Sequence, residues 1–191
     1  MIAIEAIFVG LILLFGVIGL SRGWVREAIA TAGILLGMFV LNALTLPAEG
    51  GRVFILVSIV AGLTKRSPTD PRLVLLVKSI TFGVITFFAY YGPTMVRGVP
   101  VTRQLLQRVR AGCQEAALGF IVGLLNGYLF AGNLWYFLHQ AGYPLPPGLY
   151  SGQLSSTAEK LVGYLPPNFL HGLTLYGVFA LLLLFIFVAV T

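Results

Sequence analysis

The sequence predicts an all-α fold, a polytopic transmembrane helix bundle of about five spans with short interfacial helices. Of its 191 residues, 58% are hydrophobic and only 9% are charged, and the mean hydropathy is +0.96. A soluble domain carries roughly 25% charged residues, so water is not the solvent for most of this surface. Apolar runs near 20 residues recur along the chain, the length a helix needs to cross a bilayer core about 30 Å thick. The basic residues gather between those runs.

The first run, residues 2–20, has Glu5 where a signal peptide would carry positive charge. On that charge pattern it reads as a retained span. The second, 24–46, holds Arg26 and Glu27 in its first turn. The third, 73–91, is interrupted only by Lys78, whose long stem can carry its charge toward an interface. Residues 116–138 form an uncharged fourth span, and 170–191 a fifth whose stretch 181–188, rich in leucine and phenylalanine, is the most lipid-like in the protein. Together 1–138 make a four-span region, 139–169 a connecting loop and 170–191 a C-terminal span.

Three shorter segments are not spans. Residues 53–63 are apolar but would reach only roughly 17 Å as a helix, which favours a re-entrant or interfacial helix. In 101–115, Leu105, Leu106 and Val109 fall on one side and Arg103, Arg108 and Arg110 largely on another, the pattern of a helix lying on headgroups. The loop at 139–169 is rich in Pro, Gly and Tyr and is expected to be an ordered cap. In it Gly142-Tyr143-Pro144 is echoed by Gly163-Tyr164-Leu165-Pro166. Ser156-Thr157-Ala158-Glu159 has the form of a capping box and should start a short helix.

The net charge is +6 and the isoelectric point near 9.8. No basic stripe interleaved with aromatics marks a nucleic-acid surface, so the expected partners of these charges are anionic lipid headgroups. Arg22, Trp24, Arg26, Arg103, Arg108 and Arg110 are the expected interface anchors. Arg22, Arg26, Arg97, Arg103, Arg108 and Arg110 fall on one side of the predicted bundle; Arg52, Lys65, Arg66, Arg72, Lys78 and Lys160 fall on the other. The two sides tie. Crowding of the first group into short loops favours that side as cytoplasmic. The lone Cys113 excludes an internal disulfide and a cysteine metal cluster.

Gly119, Gly123 and Gly127 recur every fourth residue and therefore share one helix face, where a neighbouring backbone can approach closely. Gly16 and Gly19 in the first span, and Gly33 and Gly37 in the second, offer matching faces. Internal packing is the first expectation for these stripes; homodimerisation or docking of another subunit is the second. Glu5 and Lys78 lie within a turn or two of span ends, where contact with the interface explains them without an ion path. His139 and His171 end the fourth span and begin the fifth on the same side. They are the candidates if a haem or chlorin is held, although hydrogen bonding at the interface is the commoner role, and no cofactor or metal is expected. HExxH, GxSxG and P-loop patterns and paired carboxylates are missing, so no enzyme is expected.

The stretch from Gly19 to Glu27 describes an anchored helical hairpin. Gly23 permits the tight reversal, Trp24 sits at the interface, and Glu27 complements the positive end of the second helix. Gly19, Arg22, Gly23, Trp24, Arg26 and Glu27, followed by Gly33 and Gly37, resemble the opening of the CvpA family of colicin V production protein-like membrane proteins. Gly119, Gly123 and Gly127 are similar to that family's later glycine-rich span. The resemblance covers roughly residues 1–138 and implies a bacterial inner-membrane protein with no established reaction; the fifth span and its Pro-rich cap depart from it. The expectation is a non-catalytic accessory or scaffold subunit contacting other integral membrane subunits, with a homo-oligomer open. A respiratory or photosynthetic electron-transfer complex is the host to look for first. The alternative is a small oligomeric channel or transporter.

Overall fold

The computed structural model describes residues 4–48, 51–95, 113–145 and 154–190. Long apolar runs without internal proline close their backbone hydrogen bonds locally, so helices carry the architecture. They are α1 (Ile4–Arg22), α2 (Trp24–Ala43), α3 (Ile55–Thr64), α4 (Pro71–Met95), α5 (Cys113–Gln140), α6 (Ser156–Val162), α7 (Pro166–Phe169) and α8 (Gly172–Val190). Four of these, α1, α2, α4 and α5, contain stretches long and apolar enough to cross a membrane. A fifth is added if the bent pair Ser156–Phe169 and Gly172–Val188, 67° apart, counts as one.

Among the described residues the chain departs from all-α at one place. After α2, strand β1 (Thr45–Ala48) pairs antiparallel with β2 (Gly51–Phe54), in a register that sets Thr45 against Phe54 and Ala48 against Gly51. The predicted second span therefore ends early, at Ala43 rather than residue 46. Pro47 lacks the amide a continuing helix would use, and the Gly50-Gly51 pair favours reversal of the chain. The short apolar run is helical over ten residues, Ile55–Thr64, and stops where Lys65 takes a left-handed conformation with φ of 53°. The predicted amphipathic segment at 101–115 lies outside the described residues up to 112; Cys113 onward belongs to α5.

Inside the bundle, α1 runs antiparallel to α5, and α2 antiparallel to α4. A β carbon on Gly16 would meet Leu124, one on Gly123 would meet the Phe15 carbonyl, and one on Gly127 would meet Ile12 at 2.7 Å. On the second seam Gly33 faces Ala89 and Gly37 faces Phe82. The central core gathers Ile34, Leu35 and Met38 of α2 with Phe82 of α4 and Leu129 and Phe137 of α5. Phe82 stacks on Phe130 at 5.7 Å and meets Phe137 edge-on at 5.8 Å. Helix α8 leans on α2 through Phe39, which packs against Tyr176 and Phe179, and through a hydrogen bond from the Tyr176 hydroxyl to Asn42 Oδ1.

The segment before α8 seats on the other face of α5. Phe8, Ala131, Trp135, Ala158 and Leu165 form a second small core. The Tyr128 hydroxyl donates to the Tyr164 carbonyl, and Trp135 Nε1 donates to the Tyr143 hydroxyl at 3.1 Å. Helix α6 is capped by Ser155, not by Ser156 as the capping-box reading has it. Ser155 is extended, and its oxygen accepts from the Ala158 amide at 3.0 Å while its hydroxyl donates to Glu5 Oε1 at 2.7 Å. Glu5 is thereby tied to the cap.

Candidate functional site

The α1–α2 connection is a single residue. Gly23 has φ of 80°, a conformation that other residues adopt only under strain, and its amide donates to the Gly19 carbonyl at 3.0 Å. This reversal places Arg22, at the end of α1, beside Glu27, in the first turn of α2. The Glu27 side chain is 0% exposed and the Arg22 side chain 17% exposed, with Arg22 Nε 3.4 Å from Glu27 Oε1. An isolated carboxylate at such a position would be strongly disfavoured.

Two further helices complete the site. The Tyr90 hydroxyl of α4 donates to Glu27 Oε2 at 3.0 Å. Asn126 of α5 spends both amide hydrogens on Glu27, one on Oε2 at 2.8 Å and one on the main-chain carbonyl at 3.0 Å. Its own oxygen lies 2.7 Å from the Thr31 hydroxyl, which is also 2.9 Å from the Glu27 carbonyl. Arg22 Nη2 donates to the Tyr90 carbonyl at 2.8 Å, and its guanidinium lies 4.5 Å from the Tyr90 ring centre. Chemically the cluster is a charge pair that has exchanged water for directed donors, and it ties α1, α2, α4 and α5 at one end. Glu27 Oε1 has the arginine as an ionic neighbour but receives no hydrogen bond.

Beside this cluster a groove of about 570 Å³ runs between α1 and α4, lined also by Phe130 of α5. At the opposite end of the bundle a polar cavity of about 370 Å³ is lined by Lys78, Asn133, Tyr136, Gln140 and His171, among others. There Lys78 Nζ donates to Gln140 Oε1 at 3.3 Å, and Gln140 Nε2 donates to the Tyr136 hydroxyl at 3.0 Å. The rings of Phe130, Phe82 and Phe137 run from the groove to this cavity.

The predicted site residues fall as follows. Gly16, Gly19, Gly119, Gly123 and Gly127 meet in the α1–α5 seam, and Gly33 and Gly37 face α4, so these stripes pack the chain against itself. Docking of a partner on them is not the arrangement found, because the chain's own helices already occupy those faces. Arg22 turns inward to Glu27 and Tyr90, whereas the anchor reading has it at the headgroups. Arg26 lines the groove, and the Trp24 ring lies 6.4 Å from that of Phe185. Arg103, Arg108 and Arg110 lie outside the described residues. His139 Nδ1 is 3.2 Å from the Tyr143 hydroxyl, while His171 borders the polar cavity. Among the described residues, no group of three or more His, Cys, Asp or Glu stands where it could hold a metal. Tyr90, Asn126 and Thr31 are the residues that sequence reasoning missed. An asparagine set between Gly123 and Gly127 in an uncharged run was the available signal. Comparison with protein-family models, with curated proteins and with solved structures gives no match.

Proposed function

We propose that the chain is a non-catalytic accessory or scaffold subunit of a larger bacterial inner-membrane assembly. The observation that carries this reading is the one-sided packing of α8. One face of that helix meets α2 through Tyr176, Phe179 and Phe185, while Leu173, Leu181 and Leu184 are exposed. The glycine faces are used within the chain, and the exposed apolar face of α8 is the surface assigned here to another subunit. The CvpA-like stretch from Gly19 to Glu27 supports the bacterial inner-membrane setting, and a respiratory or photosynthetic electron-transfer complex is the host to test first.

A photoreactive residue at Leu181, which is 67% exposed, should give a protein adduct of discrete mass in native membranes. The same residue at Leu13 of α1 should give mainly lipid adducts. Lipid adducts alone at both positions, with the chain purifying by itself under mild detergent, would sink the proposal.

The polar cavity around Lys78 favours a second reading, a small oligomeric channel or transporter. On that reading, liposomes carrying the purified chain pass small solutes faster than empty liposomes; flux at the background rate removes it.

A further inference from the structure

We infer that the groove between α1 and α4 is a binding site for one anionic glycerophospholipid, with the headgroup phosphate at Arg26 and an acyl chain along the aromatic wall. The inference rests on the membrane part of the proposed function and is independent of any protein partner.

Shape and chemistry both grade along the groove. Phe15 of α1, Phe87 of α4 and Phe130 of α5 give it aromatic lining from three helices. Along α4 the lining extends from Gly83 to Tyr91, eight residues further on, which at 1.5 Å per residue is about 12 Å. That is too long and too apolar for a free phosphate ion, and it suits a hydrocarbon chain. A β carbon at Gly83 would meet nothing within 4 Å, so the wall is open at that point. Both cationic groups lie at the other end. Arg22 is compensated by Glu27, but Arg26 makes no hydrogen bond or ion pair with any described residue. A guanidinium at the mouth of an apolar slot is the arrangement that recognises a phosphate already joined to a chain.

Thr86 is a second, independent observation. It lines the groove, it is 4% exposed, and its hydroxyl has no hydrogen-bond partner. A helical threonine would ordinarily bond back to the carbonyl four residues earlier. It stands one turn before Tyr90, on the acyl side of the arginines. A rotation about its Cα–Cβ bond would offer the hydroxyl to an ester carbonyl of the lipid.

The test is native mass spectrometry of the full chain in mild detergent, titrated separately with phosphatidylglycerol, phosphatidylcholine and inorganic phosphate. One phosphatidylglycerol should be retained in preference to phosphatidylcholine. Arg26→Gln should reduce that preference about fivefold, the effect of one cation beside an anionic headgroup. Arg72→Gln, an exposed charge at the opposite end, should leave it unchanged. Gly83→Leu should lower retention of both lipids by filling the groove. Equal retention of the two lipids, or an Arg72→Gln effect as large as that of Arg26→Gln, would overturn the site. Inorganic phosphate that competes as well as phosphatidylglycerol would reduce it to a free-anion site. A second copy of the chain in place of lipid, lost in Gly83→Leu, would make the groove a protein interface instead.

Discussion

Replacing Glu27 with leucine is expected to lower the stability of the purified chain by about 3–5 kcal/mol, the usual consequence of removing one partner from a buried ion pair. The loss does not come from the carboxylate's own attraction alone. Without it, Arg22 keeps a positive charge at a site only 17% exposed, and the Tyr90 hydroxyl and one Asn126 hydrogen lose the acceptor they share. Each stranded donor costs about 1–3 kcal/mol when water cannot reach it. In thermal denaturation in detergent, the shift should be on the order of 10 °C downward. The double variant Arg22→Met with Glu27→Leu is the informative companion. Removing both charges should recover a large part of the loss, because a well-packed apolar pair often matches a buried ion pair in stability. A single Glu27→Leu variant within about 1 kcal/mol of the natural chain would mean that the cluster does not tie the helices together.

The second large effect is steric. Gly19 and Gly119 approach so closely that a β carbon on either would fall on the other's carbonyl oxygen, and Gly123 is in the same position against Phe15. Obstruction by a flexible side chain could be relieved by a rotamer change; a backbone carbonyl in a helix has no such freedom. Gly19→Leu should therefore push α1 off α5, with a cost at or above the usual range for overpacking, roughly 1–3 kcal/mol. Gly10 is the control. It lies on the same helix, and a β carbon there would have nothing within 4 Å, so Gly10→Ala should be neutral or stabilise slightly through helix propensity. Thermal denaturation of the two variants side by side decides the matter. If Gly19→Leu unfolds no earlier than Gly10→Ala, the seam is not close-packed.

The glycine stripe was legible because spacing of four is a local property of one helix and small residues have one obvious use there. Its partner was legible only as a set of possibilities. Gly16 and Gly19 take the face of α5, while Gly33 and Gly37 are spent on α4. The Glu27 cluster was legible in halves. The hairpin from Arg22 to Glu27 could be read from neighbouring residues, but Tyr90 and Asn126 stand 63 and 99 positions beyond Glu27, and no periodicity links them. For the same reason Arg22 read as a headgroup anchor: its turn toward α4 depends on where a distant helix ends. The β-hairpin was missed because Leu44 and Leu46 extend an apolar run by composition, whereas Pro47 decides the hydrogen bonding. Lys78 and Glu5 were placed near span ends, but their bonds to Gln140 and Ser155 join segments far apart in sequence.

The Gly19–Gly119 seam also sets a timetable for the chain's birth. Its two halves are 100 residues apart, and a ribosome adding 5–20 residues per second needs roughly 5–20 s to make the second after the first. Throughout that interval α1 has a bare glycine edge, and the Glu27 carboxylate has no amide from Asn126. The first hairpin must be held, by lipid or by an insertion machinery, until the fifth helix emerges. A nascent chain halted before residue 113 keeps that glycine edge and that carboxylate without their α5 partners.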